Sequence, residues 1–188
     1  MAIVKKIVIL GPESTGKSTL CEQLATHYKT VWVPEYARTY LAQHGRNYSY
    51  NDLLTIAKGQ VALEDSYFEE FEKTARASES SSLLPLFIDT NMHVMKIWCE
   101  FVFGNCHDWI LKQIASREYD LYLLCDVDLP WIRDELREYP DLQSRQNLFL
   151  LYKDTMINQP VPWKHIHGAY DQRFVKALEA VDDLLAAQ

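Results

Sequence analysis

The sequence predicts an α/β fold, a three-layer sandwich in which a five-stranded parallel sheet is covered by helices on both faces. Short apolar runs bounded by turn residues are typical of strands buried in a parallel sheet. These runs alternate with longer stretches of helical period, which is the order that strand–helix–strand units produce. The chain of 188 residues is long enough for one domain with a substantial core.

The predicted strands cover residues 7–10, 31–33, 83–88, 121–125 and 164–167. The predicted helices cover residues 16–28, 36–44, 53–77, 92–103, 106–116, 147–156 and 171–187, and Ser49 or Asn51 caps the third. The serine-rich run 78–82 is expected to be an exposed loop. Residues 127–146 mix charges and prolines, so we expect residues 1–188 to form a single domain with a lid at that position.

Composition excludes several kinds of partner. The net charge is −7 and the pI about 5.3, whereas nucleic-acid binding depends on Lys and Arg, so no nucleic-acid partner is expected. No membrane contact is expected either, since no apolar run reaches the roughly 18 residues of a span. The N-terminal apolar run is too short for a signal peptide. The cysteines form no CxxC pair, and we expect four buried free thiols in the cytoplasm, at Cys21, Cys99, Cys106 and Cys125.

A glycine-rich motif follows the first predicted strand and opens the first predicted helix. The segment GPESTGKS, residues 11–18, fits GxxxxGK[ST], the Walker A or P-loop motif. In this motif the backbone N–H groups and the helix N-terminus bind phosphate oxygens, the lysine reaches the β- and γ-phosphates, and the hydroxyl holds Mg²⁺. We therefore predict a P-loop NTPase fold that binds ATP and Mg²⁺ through Gly11, Glu13, Ser14, Thr15, Gly16, Lys17, Ser18 and Thr19.

Other motifs favour one class of P-loop protein. The base-reading NKxD motif of GTPases is absent, and the third strand ends in Asp89-Thr90-Asn91 where a GTPase would have DxxG. The chain is also short for a mechanical ATPase. The sequence therefore favours a small phosphotransferase that acts on a small molecule.

Two carboxylates follow predicted strands, where ligands bind in open α/β sheets. Asp89 ends the third strand and is predicted to hold Mg²⁺ together with Ser18; the alternative is a cap for the next helix. Glu35 follows the second strand and is predicted to accept the proton of the attacking hydroxyl, with Asp89 as the rival base. Arg38 would hold a phosphate or position Glu35, unless the two form a surface pair.

The predicted lid contains three arginines, Arg133, Arg137 and Arg145. Small kinases close an arginine-bearing lid over the phosphates, where it excludes water and stabilises the transferred charge. We predict this catalytic role for Arg137 and Arg133 ahead of Arg145. The alternative is a solvated charged helix, because acidic residues lie between the arginines.

Six segments then suggest a family. GPESTGKS, PEYAR, IAKGQ, FIDTN, IWCE and DLPWIRDELR, in this order, resemble the nicotinamide riboside kinase domain of NadR-type NAD-salvage proteins, P-loop kinases among the AAA_28-like ATPases. The resemblance extends from Ile7 to about Arg173. It implies Mg-ATP as donor and transfer of the γ-phosphate to the 5′-hydroxyl of nicotinamide riboside, which gives nicotinamide mononucleotide (NMN).

The resemblance also implies roles for single residues. Glu35, Tyr36 and Arg38 fall in the acceptor-side motif, and Asp89 is the strand-end acid. The lid of relatives often reads W-x-D-D-G-x-R, and this chain matches it at Trp131, Asp134 and Arg137. Arg133 and Glu135 replace the first Asp and the Gly, which leaves the roles of the individual arginines open. The HxGH motif of the nucleotidyltransferase domain in full-length NadR proteins is absent, so we expect a stand-alone kinase.

The acceptor of such a kinase has a flat, cationic pyridinium ring, which binds between aromatic faces with carboxylates nearby. Predicted substrate contacts are Tyr36, Asn91, Trp98 and Trp131, with Gln60 and Glu64 as weaker candidates. His165 and His167 share one strand face, but two ligands do not make a metal site. Two other functions stay open: a kinase for another small acceptor, such as a nucleoside or nucleotide, and an ATP-driven regulatory switch.

Overall fold

The computed structural model describes residues 3–77 and 83–187. Within these residues five parallel strands form one sheet: β1 Ile3–Leu10, β2 Trp32–Val33, β3 Leu83–Asp89, β4 Leu121–Cys125 and β5 Trp163–Ile166. Their order across the sheet is β2-β3-β1-β4-β5. The connections run in opposite directions from β1, and in such sheets ligands bind at the carboxyl ends of the strands beside this reversal.

The helices are α1 Lys17–Tyr28, α2 Tyr36–His44, α3 Tyr50–Ala77, α4 Met92–Phe103, α5 Asp108–Ser116, α6 Leu142–Ile157 and α7 Tyr170–Ala186. They cover both faces of the sheet because successive side chains of a strand point to opposite sides. Ile7 and Ile9 of β1 pack in a cluster with α1 and α7, whereas Val8 and Leu10 pack in a cluster with α4 and α6. The predicted three-layer sandwich is confirmed.

A third cluster lies beside the sheet and joins α2, α3, α4 and α5. Ala37, Leu53, Met95 and Ile110 are buried members, one from each of these helices. Because α2 and α4 begin directly after β2 and β3, this cluster fixes the two helices that flank the carboxyl end of the sheet.

The predicted elements are present, but four of them begin two or more residues away from the predicted start. α3 begins at Tyr50 and not at residue 53. β1 begins at Ile3, four residues before the apolar run, because Lys5 Nζ reaches the Asp120 carboxylate at 2.9 Å while the backbone pairs with β3. α5 begins at Asp108 and not at residue 106. α6 begins at Leu142, after the Asp141 side chain accepts from the Ser144 N–H at 2.7 Å. The irregular lid is therefore residues 126–141, and residues 142–146 belong to a helix.

Two other predictions have clear outcomes. Ser49 rather than Asn51 caps α3, since Ser49 Oγ accepts from the Asp52 N–H at 3.3 Å and Asp52 Oδ2 accepts from the Ser49 N–H at 2.8 Å. All four cysteines are free, although Cys106 is only half-buried. The predicted loop 78–82 lies outside the described residues. No helix in the described part of the chain is both long and apolar enough to cross a membrane.

Candidate active site

The phosphate loop, residues 11–18, connects β1 to α1. Gly11 has a φ of 140°, and a Cβ there would lie 2.6 Å from the Cys125 carbonyl oxygen, so only glycine fits. Thr15 Oγ1 and Lys17 Nζ both donate to the Pro12 carbonyl, at 2.8 and 2.9 Å. The loop is thus curled around Pro12 at the N-terminus of a helix, which is where proteins bind anions.

Two buried arginines support this loop from outside it. Arg173 Nη1 donates to the Thr15 carbonyl at 2.7 Å, and Arg145 Nη2 donates to the Ser14 carbonyl at 3.4 Å. Each arginine is only 3% exposed. The sequence analysis placed Arg145 in the lid and did not identify Arg173. In the structure both are positioned to hold the loop backbone.

Asp89, the last residue of β3, lies beside Ser18 at the start of α1. Ser18 Oγ donates to Asp89 Oδ2 at 2.5 Å, and Asp89 Oδ1 is buried without a partner among the described residues. Burial, and then the negative charge of Glu35, raises the pKa of Asp89 to about 6. An orphaned carboxylate oxygen next to a hydroxyl suits Mg²⁺, which prefers oxygen ligands. Ser18 and Asp89 are therefore the residues that would hold this ion.

Glu35 and Arg38 connect β2 to the lid. Arg38 Nε lies 3.6 Å from Glu35 Oε2, and Arg38 Nη1 donates to Asp134 Oδ2 at 3.0 Å. All three side chains line the same cavity. The Glu–Arg pair is therefore part of the crevice and not an isolated surface pair, and Arg38 joins the candidate base to the lid.

The lid is docked onto the phosphate loop. Glu13 Oε2 accepts from the backbone N–H groups of Glu138 and Tyr139, at 2.9 and 3.2 Å. Ser14 Oγ accepts from Arg137 Nη1 at 3.3 Å. Burial raises the pKa of Glu13 above its ordinary value. The sequence analysis assigned Glu13 and Ser14 to the nucleotide, and the structure adds that their side chains contact the lid.

These groups surround a cavity of about 570 Å³. That volume lies within the range of roughly 300–1,000 Å³ of small-molecule sites. Among the residues selected from the sequence, the cavity is lined by Gly11, Glu13, Ser14, Thr15, Gly16, Lys17, Ser18, Thr19, Glu35, Arg38, Asp89, Trp98 and Arg137. The structure thus brings the phosphate loop, the candidate base and one predicted aromatic residue to one cavity.

Two predicted substrate contacts on the helices do not line this cavity. Tyr36 packs its ring against Gly59, and its backbone N–H donates to Gln60 Oε1 at 2.7 Å, so it joins α2 to α3. Asn91 caps α4: its Oδ1 accepts from the His93 N–H at 3.1 Å. The alternative role considered for Asp89 was to cap α4, and Asn91 makes that cap instead. These positions do not support the substrate roles predicted for Tyr36 and Asn91.

Two predicted lid residues also lie away from the cavity wall. The Trp131 ring lies under two guanidinium groups, 5.4 Å from that of Arg145 and 5.9 Å from that of Arg137. Arg133 is exposed. The substrate role of Trp131 and the catalytic role of Arg133 are not supported by these positions, because neither residue lines the cavity.

The weaker candidates also have structural partners. Gln60 Nε2 donates to the Pro34 carbonyl at 3.3 Å. Glu64 accepts from Arg117 Nη2 at 2.9 Å. His165 Nε2 lies 2.7 Å from the Asp126 carboxylate. None of these three residues lines the cavity, and each has a partner within the fold.

Four aromatic residues of the cavity wall escaped the sequence analysis: Trp32, Phe101, Tyr139 and Tyr152. Trp32 could have been found, because it lies in β2 only three residues before Glu35. Tyr152 lies in the middle of α6, far in sequence from every motif, and no local pattern indicates that it reaches the site.

Comparison with known proteins places this geometry in a family. AAA_28, an AAA domain, matches residues 6–173. The trifunctional NAD biosynthesis/regulator proteins NadR of Salmonella typhimurium and Escherichia coli are each 28% identical over 190 residues. These alignments cover 98% of this chain but 44% of each relative, so the chain spans less than half their length. The resemblance noted in the sequence is thereby confirmed.

Solved structures agree on the fold. A NadR protein crystallised in complex with NR superposes with a TM-score of 0.73 at 20% identity, covering 98% of this chain and 50% of that one. Thymidylate kinase from Ehrlichia chaffeensis superposes with a TM-score of 0.62 at 13% identity, covering 95% of this chain and 98% of that one. With most of its length matched and the phosphate loop in place, the chain belongs to the AAA_28 family and has a P-loop kinase-like fold.

Proposed function

We propose that this chain is an ATP-dependent small-molecule kinase that phosphorylates the 5′-hydroxyl of nicotinamide riboside to give NMN, and that residues 1–188 form a single kinase domain with a lid. The observation that supports this most is the joint cavity. Its walls contain a complete phosphate loop, the Ser18–Asp89 pair and Glu35. A donor and an acceptor can therefore meet there under one lid.

The donor would occupy the phosphate-loop side. Among residues 3–77 and 83–187, Lys17 Nζ donates only to the Pro12 carbonyl, so it can turn to the β- and γ-phosphates of ATP. Arg137, whose Nη1 donates to Ser14 Oγ at 3.3 Å, would stabilise the charge of the transferred group. Mg²⁺ held by Ser18 and Asp89 would neutralise phosphate charge when bound.

The acceptor would lie between Glu35 and the aromatic walls. The oxygen of its 5′-hydroxyl attacks the γ-phosphorus while Glu35 takes the hydroxyl proton. The bond from the γ-phosphorus to the β–γ bridging oxygen breaks, and ADP leaves. We assign the base to Glu35 because Asp89 already accepts the Ser18 hydroxyl and is the metal candidate.

The charge of the cavity and its aromatic wall suit a cationic ring. The cavity wall contains five carboxylates, those of Glu13, Glu35, Asp89, Asp134 and Glu138, against three basic side chains, those of Lys17, Arg38 and Arg137. Trp98 is oriented by its Nε1–H, which donates to Tyr48 Oη at 2.8 Å, and Phe101 lies one turn further along α4. An aromatic face among carboxylates favours a pyridinium cation. The NAD-biosynthesis role in the relatives' names and the NR complex agree with this choice.

The test is ADP release from Mg-ATP with nicotinamide riboside, adenosine, thymidine, shikimate or no acceptor. We expect stimulation by nicotinamide riboside alone, with NMN as product. Stimulation by another acceptor would keep the kinase but overturn the substrate. ADP release that no acceptor stimulates, from a folded protein that binds ATP, would contradict the kinase.

A further inference from the structure

Tyr152 forms part of the cavity wall although it belongs to no recognised motif. It lies one turn after Leu148 on α6, and both side chains line the cavity. The side chain is 5% exposed, and its ring packs in the core cluster that contains Val94 and Ile97 of α4. The ring is thus fixed by packing, which determines where its hydroxyl points.

The Tyr152 hydroxyl has no hydrogen-bond partner among residues 3–77 and 83–187. The described side-chain atoms that are both sealed and unpartnered belong to Asp89, Thr90, His93 and Arg145, so the Tyr152 hydroxyl is not sealed. It therefore opens into the cavity that the residue lines. A tyrosine hydroxyl that opens into a cavity can hydrogen-bond to a molecule bound there. A bound molecule is the natural partner for this one.

The surroundings determine which atom suits this hydroxyl. Burial, and then the negative charges of Glu35 and Glu13, raises the pKa of Tyr152 above its ordinary value. The phenol therefore stays protonated and can donate at every physiological pH. Phosphate oxygens are disfavoured between two carboxylates, whereas an alcohol is favoured. Its O–H can donate to a carboxylate while its oxygen accepts from the phenol.

We propose that Tyr152 Oη donates a hydrogen bond to a ribose hydroxyl of the acceptor and thereby makes the enzyme prefer a ribosyl over a deoxyribosyl substrate. This inference rests on the proposed function, because it takes nicotinamide riboside as the acceptor. Tyr152 would contact the acceptor and not ATP. Its loss should therefore weaken binding of the acceptor and leave binding of ATP unchanged.

The test is steady-state kinetics of the wild type, Tyr152→Phe and Tyr28→Phe with nicotinamide riboside and its 2′-deoxy and 3′-deoxy analogues. Tyr28→Phe is the matched control, since its hydroxyl bonds to Asp182 at the surface, away from the cavity. Tyr152→Phe is expected to raise the KM for nicotinamide riboside roughly 3- to 10-fold, as for loss of one neutral hydrogen bond, with the KM for ATP unchanged. For the deoxy analogue that lacks the hydroxyl bonded by Tyr152, the wild type and Tyr152→Phe are expected to have the same KM.

Three results would overturn the proposal for Tyr152. One is a Tyr152→Phe variant equal to the wild type on nicotinamide riboside. Another is an equal loss on all three acceptors, which would indicate a packing role. The third needs no variant: a wild type with the same kcat/KM for nicotinamide riboside and both analogues. A wild type that does not phosphorylate nicotinamide riboside at all overturns the proposed function itself. The wild-type measurement therefore distinguishes failure of the proposed function from failure of the proposal for Tyr152.

Discussion

The phosphate loop and the lid above it are held in different ways. The loop is one continuous segment whose shape follows mainly from two glycines at positive φ and from two side chains folded onto Pro12, and Arg145 and Arg173 bond to two of its carbonyls from outside. The lid, residues 126–141, contains no helix or strand. It is held from outside by Glu13 of the phosphate loop, by Arg38 of α2 and by Tyr48, whose Oη donates to Glu138 at 2.8 Å.

The difference separates two kinds of substitution. The loop forms its anion site from its own backbone, so changes around it should affect phosphoryl transfer directly. The lid depends on side chains from several other segments, among them Glu13, Arg38 and Tyr48, so changes there should affect closure, and each contact should matter less because the others remain. The predictions below test this division.

The largest effect is expected for Asp89→Asn. Loss of the carboxylate removes the candidate Mg²⁺ ligand, and kcat should fall by at least about 1,000-fold. Lys17→Ala is expected to lower kcat by a similar factor. Similar losses in the two variants would indicate that both residues act on the phosphates of ATP. Turnover with saturating Mg-ATP measures it, and more than a tenth of wild-type activity in Asp89→Asn would contradict the assignment.

Asp89→Asn is expected to lose activity but to gain stability relative to the wild type at high pH. The pKa of Asp89 is raised from 3.8 to about 6, so the folded state binds more protons than the unfolded state between these pH values. Wild-type stability without ligand should therefore fall as pH rises through this window, by an amount on the order of 2 kcal/mol. Asp89→Asn should lack this fall and melt at or above the wild type at pH 8. Identical pH profiles of Tm in the two proteins would refute this.

Glu35→Gln is expected to be next in size. Without the base, kcat should fall about 100-fold or more, while the KM for ATP stays near the wild-type value. Glu69→Gln, an exposed position on α3, is the matched control. If kcat survives in Glu35→Gln, Glu35 is not the base.

Within the lid, Arg137→Ala and Arg133→Ala form a direct comparison. Arg137 contacts Ser14, whereas Arg133 is exposed and outside the cavity wall. We expect kcat to fall roughly 10- to 100-fold for Arg137→Ala, since one charge-stabilising donor is lost, and to change less than about twofold for Arg133→Ala. The reverse order would mean that the lid closes with Arg133 over the phosphates.

The smallest effect is expected for Glu13→Gln. The amide still offers an oxygen to the N–H groups of Glu138 and Tyr139 but without the negative charge, which weakens the contact by about 1 kcal/mol. Faster cleavage of residues 126–141 in limited proteolysis, with only a few-fold rise in KM, is the expected result. An unchanged cleavage rate would show that Arg38 and Tyr48 hold the lid without it.

The sequence correctly predicts those site residues whose position follows from a local motif or from the end of a strand. The phosphate loop, Asp89 and Glu35 were all found because a motif or a strand end places a side chain at the crevice. Prediction from the sequence fails where the position of a side chain depends on packing between elements that are distant in the chain. Tyr152 gives no local sign, and Asn91 looks like a ligand although it caps α4.

Charged residues in irregular segments are the other weakness. Arg133 and Arg137 stand four residues apart in the lid, and only the docked conformation shows that Arg137 faces Ser14. Arg173 lies in a regular amphipathic helix, where a guanidinium bound to the Thr15 carbonyl cannot be told from a surface arginine.

The most direct test of the central claim is transfer of label from [γ-³²P]ATP to nicotinamide riboside by the purified wild-type protein with Mg²⁺. We expect labelled NMN in an amount equal to the ADP formed, with transfer lost in Asp89→Asn. Labelled inorganic phosphate in place of NMN, or no label transfer by a folded protein that binds ATP, would contradict it.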